Sequence, residues 1–175
     1  MKFSLEKSIE ILQRTPPLLI TMLKDLPAAW TCVNEGPGTW SVYDIIGHLI
    51  EGEKTDWITR AEIILSDRND KSFEPFDRFA QFEESNGKTL EQLLEEFVFL
   101  RNANIEKLQA FGLKENDLVK TGIHPAFGVV TLSQLLATWV VHDLNHIAQI
   151  SRVMAKQYGE AVGPWINYLG ILKKA

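Results

Sequence analysis

Apolar residues recur every three to four positions in four long stretches of this chain, and polar residues fill the intervals. That period belongs to amphipathic helices; in half-buried strands apolar and polar positions alternate. It predicts helices over residues 4–25, 41–66, 90–110 and 131–158. Three of them announce their starts. Ser41 with Asp44, Thr89 with Gln92, and Thr131 with Gln134 each put a hydroxyl before an apolar run and an acceptor three residues on. The last two have capping-box spacing, in which both side chains satisfy free N–H groups of the first turn, and Asp44 makes a weaker version. Pro16 and Pro17 lie inside the first segment. Proline removes a helical hydrogen bond and crowds the preceding turn, which predicts a kink or break near Thr15.

The connections are uneven. Residues 67–88 make a link too long to be idle in a compact fold, and "FDRFAQFEE" within it suits a short extra helix. Residues 111–130 form a second long link containing "HPAFG". In the tail "GPWINYLGIL", Pro164 follows Gly163, which suits a short terminal helix. No strand signal is strong; "GVVTL" is brief and runs into a helix start. The expected fold is all-α, one domain over residues 1–175 built on four helices.

Composition narrows the function. The chain has 175 residues, is 45% hydrophobic and carries a formal charge of -5, enough for a full core. Its 18 basic residues are scattered, which argues against a nucleic-acid partner. The single cysteine, Cys32, excludes an internal disulfide and fits a reducing compartment. Its expected role is a small, partly buried side chain in a loop. "MKFSLEKSIEIL" lacks the apolar core of a signal peptide, and nowhere do about 18 apolar residues run together. The expectation is a cytoplasmic protein with no membrane span.

Candidate chemistry lies in the histidines. In "TWVVHDLNHIAQISRV", His142 and His146 stand four apart, about 5–6 Å at their β-carbons on one helix. Both fall at the edge of the apolar arc, where a side chain meets the packed bundle and a solvent-filled opening at once. His48, on the second helix, occupies the same kind of edge. Three imidazoles so placed can hold one divalent ion and leave a coordination position open, the pattern of catalytic rather than structural zinc. Imidazole also suits nickel, copper and iron. The other reading is three histidines hydrogen-bonded at a bundle rim. His124, before Pro125, is expected to anchor its loop or to stand at the mouth of the site. Gly52, one turn after His48, leaves room beside an ion or permits close helix packing.

Four charged residues fall inside the apolar arcs: Glu53, Asp56 and Arg60 on the second helix, and Asp143 on the fourth. Buried charges must pair. The expectation is that Arg60 pairs with Glu53 or Asp143 near the site, locking the helices or serving as acid or base. The five tryptophans, Trp40, Trp57 and Trp139 among them, either line a pocket or fill the core.

The stretches "TWSVYDIIGHL", "GEKTDWITRA" and "HPAFGVVTLSQLLATWVVHDLNHIAQI" resemble the DinB/YfiT-like superfamily of metalloenzymes, from about Trp40 to Ile150. The resemblance implies an up-down-down-up four-helix bundle, usually a homodimer. It places a divalent metal on His48, His142 and His146, with zinc or nickel the expected ion. Members include thiol S-transferases that use bacillithiol and the metal-binding domain of a mycothiol-dependent maleylpyruvate isomerase. A thiol S-transferase-like reaction on a small electrophile, with a low-molecular-weight thiol as cosubstrate, is therefore expected. A metal-dependent hydrolase and a non-catalytic metal- or ligand-binding stress protein are the alternatives. "HDLNH" also resembles the zincin motif, with Asp143 where the general base stands.

Overall fold

The computed structural model describes residues 2–173. The first segment divides into α1 (Leu5–Leu12) and α2 (Thr15–Leu23), with the break just before Pro16 as the prolines require. A single turn, α3 (Ala28–Thr31), follows and was not expected; Cys32, at its end, is exposed rather than partly buried. The second segment is α4 (Val42–Thr55) and α5 (Trp57–Leu65), interrupted at Asp56. There the Thr55 hydroxyl bonds back to the Glu51 carbonyl, a local competitor of helical pairing. The short helix of the first long link is α6 (Ala80–Glu84), followed by α7 (Leu90–Ala110).

The second long link departs from expectation. It holds one turn, α8 (Glu115–Leu118), and an antiparallel hairpin of β1 (Thr121–His124) and β2 (Gly128–Thr131), paired from Thr121 with Thr131 to His124 with Gly128. The loop is Pro125-Ala126-Phe127, and Gly128 takes the positive φ of 71° that closes it. β2 runs directly into α9 (Leu132–Lys156), so its four residues read as a helix approach in the sequence. The tail forms two 3-10 turns, Gly163–Asn167 and Gly170–Leu172. All three predicted capping boxes are formed, that of Ser41 and Asp44 included. No helix among the described residues is long and apolar enough to cross a membrane.

Two apolar clusters fix the directions of the helices. One joins Leu12, Ile64, Leu108 and Leu135; the other joins Leu23, Ile45, Leu93 and Val153. The first cluster is thus met early on α1 and α9 but late on α5 and α7. The order is up, down, down, up. Between the clusters lies a belt of buried polar side chains, to which every arm of the bundle contributes: Thr15, Glu53, Arg101 with Asn104, and Asp143. Because the second and third arms run parallel, the strap of residues 66–89 must travel the length of the bundle. It is pinned to β1 by hydrogen bonds from the Phe73 amide to the Ile123 carbonyl and from the Ile123 amide to the Lys71 carbonyl, each 2.9 Å.

Candidate metal centre

His48 comes from the middle of α4, and His142 and His146 from successive turns of α9. The bundle brings their rings together. Nε2 of His142 lies 3.1 Å from Nε2 of His48 and 3.1 Å from Nε2 of His146. One nitrogen from each ring lies within 4.8 Å of the others. Four-coordinate ligation at about 2.0–2.1 Å sets nitrogens about 3.3 Å apart, so the spacing suits one shared ion.

Proton accounting gives the same answer. Nδ1 of His48 is 3.1 Å from Oε1 of Gln81, and Nδ1 of His146 is 2.8 Å from Oε1 of Gln149. An amide oxygen only accepts, so both Nδ1 atoms donate and both Nε2 atoms turn lone pairs inward. His142 has one proton to offer and can satisfy only one of them. Its own Nδ1 is buried without a partner among the described residues. Protonation does not resolve the conflict. Burial, then the neighbouring His146, pushes His48 down to about 4, and burial first of all pushes His142 down to about 2. Burial also lowers His146, against the opposing bond from Gln149. Three neutral imidazoles with converging lone pairs form a donor set for a cation, and outer hydrogen bonds of this kind orient metal-binding histidines.

The rings stand in the wall of a chamber of about 680 Å³. Trp40 packs on His48 at 4.8 Å and Trp57 meets His142 at 5.0 Å between ring centres. Phe76, from the strap, sets its ring edge-on to His48 at 5.3 Å. Gly52 also lines the chamber, and a β-carbon there would sit 3.2 Å from Nε1 of Trp57, so the missing side chain makes room for that indole. Trp139, by contrast, is wholly in the core. His124 does both things expected of it: Nδ1 accepts from the Ala126 amide, and the ring faces the chamber beside Phe127.

The charged residues are arranged differently from expectation. Arg60 pairs with neither Glu53 nor Asp143. Its guanidinium meets Asp56 at 2.7 Å and donates to the Glu74 carbonyl. Asp56 lines the chamber; burial, only partly offset by Arg60, pushes its carboxyl up to about 6. The partner of Glu53 and Asp143 is Arg101, which sequence reasoning missed. The signal was present, since Arg101 lies four residues after Phe97 and four before Ile105, inside the apolar stripe of α7. Glu53 also accepts from Trp139 Nε1 and Asn104 Nδ2, and Asp143 from the Thr15 hydroxyl. Glu53 and Asp143 thus lie in the belt and do not line the chamber, and Asp143 is not placed as a zincin base. Gln81 had no readable signal, since its partner is 33 residues away.

No curated protein matches the chain. Among solved structures it resembles YfiT from Bacillus subtilis, described as a probable metal-dependent hydrolase with an unusual four-helix bundle topology. The TM-score is 0.74 at 21% identity, over 90% of this chain and 91% of that one. The sequence pattern of the DinB superfamily matches residues 11–150, which span all four arms of the bundle and the three converging histidines. The chain belongs to the DinB superfamily.

Proposed function

We propose that this protein is a metal-dependent enzyme in which His48, His142 and His146 hold one divalent ion, zinc or nickel, and that it joins a low-molecular-weight thiol to a small electrophile. The observation that carries this reading is the meeting of three inward-facing Nε2 atoms at the wall of a chamber of about 680 Å³. A space of that size falls within the range for small-molecule sites, about 300–1,000 Å³. A divalent ion held there with an open coordination position would supply Lewis acidity, making a thiol or a water molecule a stronger acid. The chain's own groups do the rest. Gln81 and Gln149 fix the ring orientations, while Trp40, Trp57 and Phe76 keep the histidines out of bulk water. Asp56 is the carboxylate on the chamber wall and can take up the proton that the thiol gives up. The sulfur then bonds to the electrophilic carbon, and the displaced group leaves with the bonding pair.

Hydrolysis is the second reading, favoured by the description of YfiT. The same site serves it, with water in place of the thiol. Elemental analysis of purified protein, followed by assays of thiols with alkylating electrophiles and of esters and amides with water, separates the readings. About one metal ion per chain, lost in His146→Ala together with turnover, is expected. Metal loss with no lost chemistry would make the site a binding module, and an absence of metal would end the proposal.

A further inference from the structure

The chamber is positively charged in a chain that is negative overall. Its lining holds one carboxylate, Asp56, against two guanidiniums, Arg60 and Arg78, while the whole chain carries -5. Arg60 is matched by Asp56. Arg78 makes no ion pair or side-chain hydrogen bond among the described residues. The carboxylate beside it is engaged: Asp77 Oδ1 accepts from the amides of Phe79 and Ala80 at the start of α6. Arg78 is nonetheless well placed. It lies two residues after Phe76, which packs on His48, and three before Gln81, which bonds to His48. The same lining carries the aromatic rings of Trp40, Trp57, Phe73, Phe76 and Phe127.

The geometry points to a substrate class: the chamber takes a small organic acid with an apolar body, and Arg78 holds the carboxylate. This rests on the reading of the three histidines as the reactive end of the chamber. A guanidinium recognises a carboxylate through two parallel hydrogen bonds, a geometry that an ammonium does not reproduce. Arg78 is a specificity-determining residue in this scheme, and the transferred or cleaved bond lies at the histidine end.

The test uses phenylacetate, 3-phenylpropionate and 4-phenylbutyrate as probes, each against its neutral amide. Binding is followed by calorimetry on the metal-loaded protein and on protein stripped with a chelator, with metal content measured separately. At least one acid should bind about tenfold more tightly than its amide. That preference should survive metal removal, disappear in Arg78→Gln and return in part in Arg78→Lys. Arg78 is exposed, so its replacement leaves the core intact. If no acid is preferred to its amide, or if Arg78→Gln keeps the preference, the assignment is overturned. A preference lost with the metal means that the carboxylate sits on the ion, which also overturns it. An absence of metal in the purified protein strikes the histidine reading instead, and the stripped-protein comparison still decides the role of Arg78.

Discussion

Arg101 of α7 donates to both carboxylate oxygens of Asp143 on α9, and neither side chain is exposed. The same guanidinium donates to Oε1 of Glu53 from Nε and Nη2, at 3.1 and 2.8 Å, and to the Leu12 carbonyl. Burial alone would lower its pKa, but the two carboxylates outweigh that and raise it. The ion on α7 thus ties its own arm to the other three at mid-height. Arg101→Met leaves two carboxylates buried without their counter-charge, and breaking a buried pair costs about 3–5 kcal/mol. Urea unfolding should show a loss of that order. Combining it with Glu53→Gln and Asp143→Asn should recover part of the loss, because the stranded charges are then gone.

The orienting amides offer a milder intervention. Gln81→Leu removes the acceptor on Nδ1 of His48 but leaves all three rings in place. Loss of such an outer partner typically weakens metal affinity about 10–100-fold. Competition with a chromogenic chelator should show this fall with little change in unfolding midpoint for the metal-free protein. Unchanged affinity would mean that the helices alone set the ring.

Asp56 gives the fold a pH dependence that can be isolated. Its carboxyl titrates near 6 in the folded protein, chiefly through burial, against 3.8 for the free side chain. The folded state therefore holds the proton more tightly. The contribution to stability is fully present below about pH 4 and is lost as pH rises through about 6, a swing of up to about 3 kcal/mol. Stability of the native protein relative to Asp56→Asn should fall across that window and stay level above it. Chemical unfolding at several pH values measures the difference, and a flat difference would mean that the carboxyl is not desolvated.

Gly122 tests the coupling of hairpin to chamber. A β-carbon there would lie 2.5 Å from two ring carbons of Phe73 and 3.0 Å from Ile64. Phe73 lines the chamber, and Arg60 lies over its ring at 5.2 Å. Gly122→Ala should cost about 1–3 kcal/mol through overpacking. It should also change turnover, because Phe73 must shift. Thermal melts and kinetics together separate it from a purely structural effect.

Much of this arrangement was readable in advance. Thr89 and Thr131 start their helices where the spacing with Gln92 and Gln134 placed them, because capping is local chemistry. The edge positions of His48, His142 and His146 followed from helical periodicity, and burying the apolar arcs had to bring those edges together. The pairing of Arg101 was not readable from the arcs of two helices, since the third helix supplies the cation. Gln81 and Arg78 escaped for another reason. They belong to the strap, whose path is set by contacts with β1 and α4, and no periodic pattern records it.

The parallel course of the second and third arms has one more consequence. A chain leaving the foot of one must climb back to the head of the other, so a crossing segment along the open flank is a topological necessity. Here that segment brings Phe76 and Arg78 to the cavity wall and Gln81 to Nδ1 of His48, while contributing none of the three converging imidazoles. The four arms thus carry the three imidazoles, and the crossing segment carries both Arg78 and the Gln81 amide that orients His48. Grafting residues 66–89 from one such bundle onto another, with the glutamine at position 81 retained, should exchange the preferred molecule and leave the underlying reaction as it was.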